Sequence, residues 1–82
     1  MNRRELEDEY RVRLEKARAR YDTANKLFDA AVSEVGHAPH PDGSLAVRLA
    51  RIRASAAHKN YMRVLQAFNA LIIYGMIPED RQ

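Results

Sequence analysis

Arginine and lysine are the chemically active side chains of the second half of this chain. Between Leu45 and Tyr74 stand Arg48, Arg51, Arg53, Lys59 and Arg63, with no aspartate or glutamate among them. Residues 2–35 carry eight basic side chains and eight acidic ones, many of them spaced for mutual pairing. Glu7 with Arg11, Glu9 with Arg13, Arg11 with Glu15 and Asp22 with Lys26 are each four apart, the spacing at which opposite charges meet on a helix. Lys16 and Arg20 have no acid three or four residues away. A guanidinium presents a fixed fork of donors that fits two oxygens of a phosphate or carboxylate. The expected contact set for an anionic partner is therefore Lys16, Arg20, Arg48, Arg51, Arg53, Lys59 and Arg63. The competing use of these cations is a solvated face, or pairing across chains with Glu15, Asp22 and Asp29. A net charge of +3 and a pI near 9.6 make only a mild electrostatic footprint for nucleic acid. No aromatic residue interleaves with these arginines, so bases have no stacking platform.

Other chemistry finds less support. His37 and His40, with Asp42 beyond and two prolines to stiffen the loop, are ligand types that suit zinc or nickel. The further ligands of a complete site are missing nearby, so a polar turn without metal or cofactor is expected. His58 lies far along the second half and is expected to make a partly buried polar contact. Tyr10, Tyr21 and Tyr61 fall on apolar positions and read as core rings. Ser33, Ser44 and Ser55 have no placed base. There is no cysteine, glycine-rich phosphate loop or paired-carboxylate motif, so enzymatic activity is not expected.

Two helices must position these residues. In the first, expected over about 2–35, Leu14, Tyr21, Phe28 and Val35 recur every seven residues, interleaved with Tyr10, Ala17, Ala24 and Ala31. Such 3–4 spacing lays an apolar stripe along one face. In the second, expected over about 44–74, Val47, Ala50, Ala54, Ala57, Tyr61, Val64, Phe68 and Leu71 do the same. Folding the chain between them makes residues whose numbers sum to about 78 face each other, by the numbering itself. Phe28 then meets Ala50, Tyr21 meets Ala57, Ala17 meets Tyr61 and Tyr10 meets Phe68. Large faces small, which fills the layers. The same register brings Lys16 and Arg20 towards Asn60 and Arg63, with Arg13 and Arg53 on that edge.

Each helix is followed by a terminating pattern: Gly36 then Pro39, and Gly75 then Pro78. A loop over 36–43 is expected, with Asp42 or else Ser44 capping the second helix. The first few residues and Glu79 to Gln82 are expected to fray.

The second helix has more apolar residues than one seam can use. Leu45, Leu49, Ile52 and Ala56 form a further stripe, and Met62, Leu65, Ile72, Ile73 and Met76 extend it; Val12, Leu27 and Val32 add to the first helix. A helix apolar nearly all round is normally interior, and monomers rarely leave a large apolar patch wet. At 82 residues without disulfides, the chain is also small for an isolated core. The expectation is an all-α, single-domain antiparallel helical hairpin that dimerises into a four-helix bundle. Leu45, Leu49, Ile52, Ala56, Leu65, Ile72 and Ile73 are the expected dimer interface. The longest apolar run, Ala70 to Tyr74, is too short to cross a bilayer. Met1 to Glu9 is dominated by charge and is unlike a signal peptide, so a cytoplasmic location is expected.

The plan resembles small plasmid regulators that dimerise as helical hairpins and hold paired RNA loops on one face, a likeness of architecture without a shared motif. The reading of the residues is a small non-enzymatic homodimer that presents helical faces and a basic edge to a protein partner. Nucleic-acid regulation through that edge, RNA or DNA, is the alternative.

Overall fold

The computed structural model describes residues 2–37 and 41–78, with side chains for all of these except 35–37 and 41–44. Two helices account for nearly all of it: α1, Arg3–His37, and α2, Pro41–Tyr74, of 35 and 34 residues. They pack against each other as an antiparallel hairpin measuring 54 × 18 × 17 Å. The described fold is all-helical, and residues 38–40, between the two helices, lie outside the described residues together with 1 and 79–82.

Both inner helix ends differ from expectation. Gly36 lies inside α1, which runs on to His37. A glycine within a helix costs only about 1 kcal/mol relative to alanine, which the rest of α1 can carry. α2 begins at Pro41 rather than near Ser44. Proline is well suited to a first helical position, where its fixed φ fits and its missing N–H would have no partner anyway. Asp42 and Ser44 consequently fall inside the first turn, and their side chains, on which the expected cap rests, lie outside the described ones.

The outer ends are fastened more firmly than the sequence suggested. Asn2 caps α1: its Oδ1 accepts the Glu5 backbone N–H at 2.8 Å, and its amide donates to Glu5 Oε1 at 3.4 Å. The first bond satisfies one backbone donor that a helix start leaves open, and the second joins the two side chains, so the amino-terminal residues from Asn2 onward are held rather than frayed. Gly75 ends α2 as expected, with φ +67° and its N–H bonded to the Leu71 carbonyl at 3.0 Å. The Met76 N–H follows, reaching the Ala70 carbonyl at 3.3 Å.

One residue ties the two ends together. Arg3 donates from Nη2 to the carbonyls of Leu71 (3.1 Å) and Ile72 (3.0 Å), and from Nε to Glu7 Oε1 (3.1 Å). α2 has no basic residue in its own last turn. Arg3 supplies that charge from the other helix, where it favours the negative end of the α2 dipole. Beneath it lies the core: Leu6, Tyr10 and Leu71 are buried, with Ala67 and Phe68 packed on them.

The expected register holds. Tyr10 meets Phe68, Tyr21 lies against His58 and Tyr61 (ring centroids 5.1 and 6.0 Å), and Arg51 extends over Phe28 (6.0 Å). The seam residues of both helices with described side chains are the buried or half-buried ones. Burial is uneven along the rod. The four buried apolar side chains, Leu6, Tyr10, Ala17 and Leu71, all belong to the half that carries the termini.

Leu71 is 1% exposed, so Leu71→Ala should cost about 2–5 kcal/mol. Gly75→Ala must hold an L residue at positive φ, with a Cβ 3.4 Å from Arg3 Nη1, and should cost about 1–2 kcal/mol. Arg3→Met removes a half-exposed clamp and should cost about 1 kcal/mol or less. Thermal unfolding at one fixed protein concentration checks the ranking, at about 4–8 °C per kcal/mol for a chain of this size. Equal midpoints for Gly75→Ala and the unaltered chain would contradict the terminal lock.

Candidate functional site

One edge of the hairpin gathers cations from both helices. α1 brings Arg13, Lys16 and Arg20 there, three and four residues apart and so on one side of the helix. α2 brings Arg53, Asn60 and Arg63 by the same spacing rule. Between them runs a groove of about 300 Å³ lined by Arg13, Lys16, Ala17, Arg20, Asn60 and Val64. It continues in one direction into a cleft shared by Arg13, Asn60 and Arg63, and in the other into a trough shared by Arg20 and Arg53. The register expected from the seam thus assembles Lys16, Arg20, Arg53 and Arg63 on one edge with Arg13 and Asn60.

The charges are held differently. Arg13 is positioned from within: its Nη2 lies 3.5 Å from Glu9 Oε1, and its Cζ lies 4.8 Å above the ring of buried Tyr10. Lys16, Arg20, Arg53 and Arg63 are exposed and have no carboxylate within salt-bridge distance among the described residues. The acids of α1 are largely elsewhere. Asp8, Glu15, Asp22 and Asp29 recur every seven residues, each two positions from a seam residue, which turns them to the outer face; all four are exposed. Of the expected ion pairs, Glu9 with Arg13 is present. Glu7 is taken by Arg3 instead, and Arg11 turns to Asp8 at 3.3 Å.

Arg48, Arg51 and Lys59 stand apart from this edge. Arg51 reaches over Phe28 on the opposite side of the hairpin, where Tyr21, His58 and Tyr61 also meet. His58, expected to be partly buried, is exposed and rests its ring on Tyr21. Arg48 and Lys59 are exposed on the outer face of α2.

The expected interface residues also divide. Leu45 (54% exposed), Leu49 (44%), Ile52 (57%) and Ala56 share one outward stripe. Leu65 is half-buried and, with Ile72, lies about 140° round the helix from Ile52. Ile73 returns to the first side but is separated from Ile52 by Lys59, Arg63 and Gln66. Leu27 of α1 is 57% exposed and lines the trough beside Arg20 and Arg53, so it adds to the first stripe from the other helix.

The metal-loop candidate rests on His40, which lies outside the described residues, and on His37 and Asp42, whose side chains also do. No described helix is long and apolar enough to cross a membrane. No protein-family model, curated protein sequence or solved structure matches the chain. What can be said of its role is carried by its own surface.

Since Lys16 and Arg20 are exposed and meet no acid, Lys16→Gln/Arg20→Gln should leave the urea midpoint unchanged, within about 0.5 kcal/mol. Relief of like-charge repulsion would move it upward if at all. A loss of several times that size would show that these cations hold the hairpin together instead of facing a partner.

Proposed function

We propose that this protein is a small non-enzymatic homodimer that presents helical faces and a basic edge to a macromolecular partner. The observation that carries the reading is where its apolar surface is left. The terminal half has the buried cluster, yet large apolar side chains stay exposed in both halves: Leu27, Val32, Leu45, Leu49 and Ile52 towards the loop, and Val12, Ile72, Ile73, Tyr74, Met76 and Ile77 towards the termini. The accessible surface is 6404 Å², against about 5,000 Å² for a typical folded monomer of this mass. The excess, roughly 1,400 Å², exceeds the area of about 800 Å² that each partner buries in a standard stable interface. A second copy docked on the Leu45–Leu49–Ile52–Ala56 stripe would give the loop half the core it lacks and make a four-helix bundle.

A second reading, regulation through bound nucleic acid, is supported by the edge on which Lys16, Arg20, Arg53 and Arg63 gather without acidic partners. The two readings share a face, since Arg53 stands between Leu49 and Ala56 of the apolar stripe and lines one trough with Leu27 and Arg20.

Static light scattering should return about twice the chain mass of 9.4 kDa. Leu49→Glu/Ile52→Glu, which places charge in the proposed contact, should return the monomer mass while circular dichroism keeps its helical signal. A lone-chain mass for the unaltered protein at all concentrations would remove the homodimer.

A further inference from the structure

We infer that the basic edge is a site for the phosphodiester backbone of a nucleic-acid duplex, contacted by charge alone and without reading of bases. The inference rests on the nucleic-acid reading above and specifies its ligand. Its first ground is the length and order of the row. With residue numbers across the hairpin summing to about 78, the cations follow one another as Arg13, Arg63, Lys16, Arg20 and Arg53. At 1.5 Å per residue the row extends about 18 Å. One strand of a duplex places a phosphate about every 3.4 Å along the axis while winding around it, so a straight row of this length meets a few phosphates where a strand passes.

The second ground is what the row lacks. Single-stranded nucleic acid is held by bases stacked on aromatic rings in a basic groove. The aromatic ring at this groove is Tyr10, which is 3% exposed and already covered by the Arg13 guanidinium. Tyr21 and Tyr61 turn their rings to each other within the seam. Among the described residues, no exposed aromatic side chain lines the groove.

The third ground is rigidity with selective freedom. Arg13 is fixed by Glu9 and Tyr10, and half-buried Asn60 adds a neutral amide to the groove wall. Lys16, Arg20, Arg53 and Arg63 remain exposed on two packed helices. Such a surface holds its cations at fixed intervals, and backbone contacts position a protein without specifying sequence.

The test is a titration of fluorescent duplexes, and of the matching single strand, from about 50 to 200 mM salt. Four cations free of acidic partners predict a slope of log K against log salt of about −3 to −4 for each chain that touches the duplex. Lys16→Gln/Arg20→Gln should flatten that slope by about two, Lys16→Arg/Arg20→Lys should restore it, and shuffling the duplex sequence should change affinity less than twofold. Tighter binding of the single strand, or a strong sequence preference, overturns the backbone assignment while leaving nucleic-acid binding in place. A slope unchanged in Lys16→Gln/Arg20→Gln but flattened in Arg48→Gln/Arg51→Gln overturns the choice of edge. No binding of either form at the lowest salt overturns the inference and the nucleic-acid reading together.

Discussion

The hairpin is closed at its open end, and the rest of the molecule follows from that closure. Two helices leaving a tight connection will splay unless something far from the connection holds them. Here Arg3 bridges Glu7 on its own helix and two terminal carbonyls on the other, directly above Leu6, Tyr10 and Leu71. Carbonyls at a helix end are open to partners from outside the helix, and the Leu71 carbonyl accepts the guanidinium beside the Gly75 N–H. The apolar cluster contributes the larger energy, since burying a leucine or aromatic side chain is worth about 1.5–3 kcal/mol. The exposed clamp adds less, but it fixes the longitudinal register, because its acceptors exist only at the end of α2.

Fixing the register at one end determines what meets along the whole length. It sets Tyr21 against Tyr61 and Arg51 over Phe28, and it brings the positions of Lys16 and Arg20 opposite Asn60 and Arg63. The basic groove is thus a consequence of seam packing. A slip of one turn would move each cation about 5.4 Å relative to the other helix and break the row. The same constraint explains the division of the molecule. Large side chains at Leu6, Tyr10 and Leu71 fill the seam near the termini, while Ala24, Ala50, Ala54 and Ala57 populate it towards the loop. Small residues allow close approach of the helices and contribute little burial of their own, so the loop half is closed without being well cored.

Much of this was legible in the sequence, for reasons tied to particular residues. The seam was readable because its period is local, and the register because Tyr10 and Phe68 or Tyr21 and Ala57 are complementary in size. The grouping of Lys16, Arg20, Arg53 and Arg63 followed from the register. The Arg3 clamp was not readable: its acceptors are backbone carbonyls 68 and 69 positions away, and backbone groups have no signature in composition. The Asn2–Glu5 cap did have one, the side-chain pair three residues apart at a helix start, masked by the expectation that termini fray. The same spacing of glycine and then proline follows both helices, so it does not separate Gly36 from Gly75. Gly75 ends its helix with positive φ, while Gly36 is carried within one.

The distribution of charge restricts how two copies can meet. On the face that carries the groove, Leu27, Leu49 and Ala56 lie towards the loop, and Arg13, Lys16 and Arg63 towards the termini. Complete overlap of two such faces would press cation against cation, a cost that grows as water is excluded from between them. Overlap confined to the loop halves would bury the apolar residues, take Arg20 and Arg53 beside Leu27 to its rim, and carry Arg13, Lys16 and Arg63 of the two chains outward in opposite directions. The proposed homodimer and the proposed duplex contact are therefore compatible only in a staggered arrangement. In that arrangement the apolar half of each chain serves assembly and the basic half stays in solvent. The chain's outward acidic residues, Asp8, Glu15, Asp22 and Asp29, would then face away from both, which keeps them from competing with a phosphate strand for the arginines.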